Sequence, residues 1–130
     1  MAARDAVRDD MWFRRLLWAA AAFNAFGACV LAVPQLAVGA WAGLPSDVPL
    51  LYRAIVASFV LLFGGAYAWL AGAKPIDRPM VAFGAIGKAG VFALSVALYL
   101  ASAATARTVL LVGGDLAFAA LFAVWLRATR

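Results

Sequence analysis

The chain contains no histidine and no glutamate, a single cysteine, and few charges of any kind, 13% of its residues. Without histidine, axial haem ligation by an imidazole is excluded, and a zinc site loses its usual nitrogen ligand. Cys29 has no second thiol to exchange with, which removes disulfide chemistry by this chain alone. The net charge is +5, but nucleic-acid binding needs a basic face on a soluble surface. With 68% hydrophobic residues there is no such surface, so no nucleic-acid partner is expected. A soluble domain is nearer half apolar and a quarter charged. That excess cannot be hidden inside one globule of 130 residues, where surface is a large share of the whole. The expected solvent is the lipid bilayer, and the expected unit is one integral membrane domain over residues 1–130.

What the sequence does have is long apolar runs. A hydrocarbon core about 30 Å thick takes roughly 20 apolar residues in a helix. Runs of that length predict helices over about 12–33, 50–71, 80–102 and 108–126. The expected fold is an all-α four-transmembrane-helix bundle, up-down-up-down. Met1–Arg15 is polar and reads as an amphipathic lead-in. A cleaved signal peptide is the competing reading of the first run. That run exceeds the roughly 7–15 residues of a signal core, and three aspartates precede it, so a retained helix is preferred. Pro34 ends the first helix, since proline cannot donate to the ladder. Gln35–Pro49 is too apolar for a free loop and too short to span, which makes it an interfacial or re-entrant piece with Trp41 at headgroup depth. Gly64-Gly65 inside the second helix suggests a close helix crossing or a kink. The five tryptophans suit an interfacial aromatic belt and are assigned no chemistry. Arg4, Arg8, Arg14, Arg15, Lys74, Arg78, Arg127 and Arg130 fall on one side of such a bundle, against Arg53 and Arg107 on the other. The imbalance predicts both termini in the cytoplasm and argues against dual topology.

Polar residues within the spans are the functional signal. Lys88 lies near the middle of Met80–Ser102, where a charge costs roughly 2.5–3.5 kcal/mol on insertion scales. Counting about 1.5 Å per residue places Asn24, Ser58, Lys88 and Asp115, one per span, in a slab about 10 Å thick. Polar groups in hydrocarbon should face inward and find one another. Gly84, Lys88, Phe92, Ser95 and Tyr99 repeat on one face of the third span. Side chains lean toward the N-terminus of their own helix, so in antiparallel neighbours Lys88 and Asp115 lean apart. A direct bridge then depends on the length of the lysine. The alternative sends Arg53 down to Asp115 and leaves Lys88 to Asn24, a carbonyl, water or an anion. Two roles weigh equally, an ion pair that fixes helix register or a ligand, proton or ion site, and a minor third is that Lys88 simply snorkels.

Gly43-Leu44-Pro45, Leu51-Tyr52-Arg53, Gly64-Gly65-Ala66-Tyr67, Pro75 with Arg78-Pro79, Gly84-Ala85-Ile86-Gly87-Lys88 and Gly114-Asp115 with Leu121-Phe122 together resemble a group of small four-span bacterial membrane proteins, loosely akin to DoxX-like proteins. The resemblance spans about residues 34–126. It implies a four-helix membrane fold in a bacterial inner membrane and functional weight on Arg53, Lys88 and Asp115, and it names no substrate. Some DoxX-like proteins accompany quinone-linked respiratory enzymes, so a quinone or lipid ligand, or an accessory role, is an expectation by analogy. Other small membrane families fail on residues. Small multidrug exporters and half-size lycopene cyclases rely on glutamates, and quinone-linked thiol oxidoreductases on paired cysteines.

The expected site comprises Lys88, Asp115, Arg53, Asn24, Ser58, Ser95, Tyr99 and Tyr67, as a ligand-binding or ion-pair set with no catalytic residue, metal or cofactor assigned. The favoured function is binding of a small amphipathic or anionic ligand, or of a membrane partner subunit or second copy of the chain. Arg53 and Lys88 against Asp115 leave one surplus positive charge, which is the ground for an anion. The alternatives are a small proton-coupled transporter, working as a dimer, and a lipid- or isoprenoid-modifying enzyme of isomerase type with Asp115 as acid and base.

Overall fold

The structure, a computed structural model, describes residues 2–129, with side chains from Met11 onward. The lead-in charges from Arg4 to Asp10, and Arg130, lie outside the described side chains. Among the described residues the chain is all helix: α1 (Ala2–Ala32), α2 (Ala37–Ala42), α3 (Leu50–Gly72), α4 (Arg78–Leu100) and α5 (Ala106–Ala128). Four of these carry stretches long and apolar enough to cross a membrane, Met11–Ala32, Leu50–Gly72, Arg78–Leu100 and Ala106–Ala128.

Local chemistry fixes the ends. Pro34 follows the last turn of α1 and offers no N–H. The short α2 lies within the segment expected at the interface and stops at Gly43, whose φ of 74° is left-handed. A Cβ there would also lie 2.8 Å from the Thr105 methyl. Pro49 precedes α3. The third span starts at Arg78 rather than at residue 80 because the Asp77 carboxylate accepts from the Met80 N–H at 2.9 Å, a side-chain N-cap. The fourth starts at Ala106 rather than at residue 108 for the same reason: the Thr105 hydroxyl accepts from the Thr108 N–H at 3.1 Å.

The long helices associate as two pairs, α1 with α3 and α4 with α5. In the first pair Gly64 lets the backbones close: a Cβ there would stand 3.1 Å from Asn24 Cβ and 3.2 Å from the Ala21 carbonyl oxygen. Arg14, near the start of the apolar stretch Met11–Ala32 of α1, donates to the Ala71 carbonyl at 2.7 Å. Arg53, early in α3, donates to the Ala32 carbonyl at 2.9 Å. Start meets end at both extremities, so α1 and α3 run antiparallel. In the second pair Arg78 at the start of α4 donates to the Leu126 carbonyl at 2.8 Å and to both oxygens of Thr129. The last carbonyls of a helix have no partner within it, and these three arginines supply one to the ends of α1, α3 and α5.

The pairs are joined by side chains in one half of the bundle. Phe13 stacks on Trp125 at 4.1 Å between centroids and meets Phe122 edge-on at 5.6 Å. Tyr67 meets Phe122 at 5.5 Å and lies over Gly84, where a Cβ would come within 2.8 Å of its ring. Phe23 occupies the corresponding space at Gly114. Phe13, Leu17, Val81 and Phe122 are wholly buried in this layer. The other half, built from the end of α1, the start of α3, the end of α4 and the start of α5, is hollow and holds a cavity of about 420 Å³. Leu44, just beyond α2, forms part of its wall, and α2 is latched to α5 by two hydroxyls, Thr105 and Thr108, that donate to the Ala42 carbonyl at 2.6 and 2.8 Å. Phe26 of α1, Val56 of α3 and Val91 of α4 all line the cavity yet are 45%, 48% and 49% exposed, so the cavity is bounded in part by surface residues.

The two adjacent glycines of α3 make a paired test. Gly64→Val has to push α1 away and should cost about 1–3 kcal/mol, whereas Gly65→Ala, with nothing near its Cβ position, should be neutral or stabilise by up to about 1 kcal/mol through helix propensity. Thermal unfolding in detergent, followed by helical circular dichroism, reads both.

Candidate functional site at the floor of the cavity

Lys88 is 4% exposed although it sits in the middle of an apolar span. Its ammonium donates to Asp115 Oδ1 of α5 at 2.6 Å and to Asn24 Oδ1 of α1 at 2.9 Å. Three rings surround it, Phe23 at 5.5 Å, Tyr67 at 5.2 Å and Phe118 at 5.2 Å from Nζ to centroid. Those distances suit attraction between a cation and the negative faces of the rings. Each spanning helix therefore contributes to one ammonium: α1 an amide and a ring, α3 a phenol ring, α5 a carboxylate and a ring.

The partners are themselves held. Asn24 Nδ2 donates to the Val60 carbonyl of α3 at 3.1 Å, which turns the amide oxygen toward Lys88. Gly84, one turn before Lys88, admits the Tyr67 ring, and Gly114, adjacent to Asp115, admits Phe23. The Asp115 side chain is 17% exposed and borders the cavity. Only its Oδ1 has a partner among the described residues. Lys88, Asp115, Asn24 and Tyr67 thus form the polar floor, and the remaining walls are almost wholly apolar.

The expected site residues divide into two groups. Lys88, Asp115, Asn24 and Tyr67 converge. Ser95 lies on the cavity wall two turns further along α4, but its hydroxyl donates to the Val91 carbonyl at 2.9 Å. Ser58 is exposed and donates to the Ala54 carbonyl at 2.7 Å. Tyr99 is 46% exposed near the end of α4 and lines no part of the cavity. Arg53 does not reach Asp115. Its guanidinium is held by the carbonyls of Ala32 and Val48, both at 2.9 Å. It borders a smaller recess of about 150 Å³ that shares Leu31, Leu44 and Val56 with the main cavity. The direct Lys88–Asp115 bridge forms because the four-carbon stem of the lysine spans the offset created by the opposed lean of the two side chains.

Sequence reasoning missed Phe23 and Phe118. Their signal was position: Phe118 is one turn from Asp115 on the same face, and Phe23 precedes Asn24. It also missed Thr105 and Thr108, whose latch needs α2 to fold back onto α5.

Compared with protein-family models, with curated proteins and with solved structures, the chain matches none.

Removing one partner of a buried pair leaves an uncompensated charge, which costs roughly 3–5 kcal/mol, whereas replacing both by apolar groups of similar size is often close to neutral. Lys88→Met alone and Asp115→Leu alone should each lower the unfolding temperature strongly. The double variant should recover most of the loss, and a double-mutant cycle on thermal unfolding measures the coupling.

Proposed function

We propose that this chain is a small multi-pass membrane protein that binds an amphipathic small molecule, its apolar part in the cavity and its polar part at the Lys88–Asp115–Asn24 floor. One observation carries the reading: a largely apolar space of about 420 Å³ ends on a cluster of buried polar groups. Ligand sites typically enclose about 300–1,000 Å³ of mostly apolar wall with a few placed polar groups. A pair that only fixed register needs no adjoining space. Arg53 is committed to two carbonyls away from the floor. The positive charge it was expected to add is therefore not at the cluster, and the case for an anion is weaker than that for an amphipathic molecule. Kinship with small four-span DoxX-like proteins belongs to the same proposal and rests on motifs alone. So does placement in a bacterial inner membrane with both termini cytoplasmic, which would put the hollow half on the outer side.

A second reading has one observation in its favour. Asp115 lines the cavity and one of its oxygens has no partner among the described residues, and a general acid or base has to stand within about 3 Å of the moving proton. That is the isomerase-type enzyme. A carrier has less support, because the aromatic layer of Phe13, Phe122 and Trp125 closes the bundle beyond the floor.

The test is direct. Protein extracted with its native lipid into polymer discs is compared with Leu111→Trp, in which a ring fills the cavity. Mass spectrometry of the extracts should show an amphipathic compound enriched with the native protein and reduced about tenfold or more in the variant, the equivalent of roughly 1.4 kcal/mol. Identical extracts would end the binding reading. Conversion of the retained compound by native protein but not by Asp115→Asn would move the assignment to the enzyme.

A further inference from the structure

Resting on the ligand-binding reading above, we infer that the polar head accepted at the floor is an uncharged hydroxyl, so that the ligand class is a single-chain aliphatic alcohol rather than a carboxylate, amine or carbonyl compound. Lys88 and Asp115 are in contact at 2.6 Å, and their sum is zero wherever the shared proton lies. Neither Arg14, Arg53 nor Arg78 faces the cluster, because each is bound to helix-end carbonyls. An ionised head would have to leave water for a wall offering no surplus charge to replace its hydration. Carboxylates and amines are both disfavoured on this ground.

Hydrogen-bonding capacity decides among neutral heads. Asp115 Oδ1 takes the Lys88 ammonium, while the second carboxylate oxygen has no partner among the described residues, and Asp115 is one of the residues that line the cavity. That oxygen calls for a donor. The Tyr67 hydroxyl has no hydrogen bond among the described residues, and Tyr67 also lines the cavity with its ring 5.2 Å from Lys88 Nζ. That hydroxyl can donate. Two of the three ammonium N–H groups are used, on Asn24 and Asp115. The floor thus presents a free acceptor beside free donors. A carbonyl or ether only accepts, and would leave the carboxylate oxygen unpaired in a dry cavity. An aliphatic hydroxyl donates to Asp115 and accepts from Tyr67 or Lys88 through the same atom. The tail follows from the walls. Seven residues separate Asp115 from Thr108, both on the lining, which is about 10 Å of apolar depth at the helical rise.

The probe set has one chain and three heads: tritiated 1-decanol, decyl methyl ether and decanoate at alkaline pH, dialysed against the protein in phosphatidylcholine nanodiscs with empty nanodiscs subtracted. The expected result is decanol held about tenfold more tightly than either analogue. Tyr67→Phe should weaken decanol severalfold and leave decanoate unchanged. Asp115→Asn, which leaves Lys88 unneutralised, should reverse the preference toward decanoate. If that variant does not fold, the Tyr67→Phe comparison decides. Ether or decanoate bound as tightly as decanol, with all three lost in Leu111→Trp, would overturn the head-group inference while leaving the cavity a binding site. Retention no greater than in empty nanodiscs for all three, with Leu111→Trp indistinguishable, would overturn both.

Discussion

An ammonium in the middle of an apolar span has to be given something in place of water, and no single neighbour is sufficient. Lys88 receives two oxygens and three aromatic faces drawn from the other three long helices. Much of the interior follows from that requirement. Gly84 and Gly114 lack side chains where the rings of Tyr67 and Phe23 must approach. Gly64 lets α1 and α3 come close enough for the Asn24 amide to reach across to the Val60 carbonyl. The cation and its carboxylate stabilise each other against a large desolvation cost, and the geometry that makes this work is spread over the glycines from Gly64 to Gly114 rather than in any one motif.

Outside the interior, the basic residues take on a second role. Read as a sequence, the arginines are a topological signal. In the folded chain Arg14, Arg53 and Arg78 each reach from near the start of one apolar stretch to the last carbonyls of another helix. Positive charge at a helix C-terminus is favoured by the backbone dipole, and a bare carbonyl near hydrocarbon is costly. The same side chains that bias orientation can therefore also tie the helices of each pair together at their ends.

The four spans were legible because length and apolarity leave a chain of this composition few other options. Their ends were less so. Asp77 and Thr105 start α4 and α5 two residues early by capping, a local signal that run length overrides. Within the site, depth along each span correctly singled out Lys88, Asp115 and Asn24 as one group. It misplaced Ser58, because a hydroxyl in a helix can satisfy itself on the carbonyl four residues back, as Ser58 and Ser95 both do. Arg53 was weighed as a partner for Asp115 on reach alone, whereas the end of α1 offered it a nearer carbonyl. Phe23 and Phe118 carried no contrast in an apolar run. The cavity was illegible, since empty volume depends on how far apart two helix pairs stand, and no residue type encodes that distance.

The latch between Ala42 and the two threonines has a mechanical consequence. It binds the hollow end along the α5 edge, as Phe23 against Gly114 does lower down, while α3 and α4 meet through Tyr67 over Gly84 and Phe63 stacked on Phe83. Among the described residues the two helix pairs are therefore held on both edges around the salt bridge, and at the hollow end by the latch. Any widening of the hollow end would leave the ion pair the least displaced.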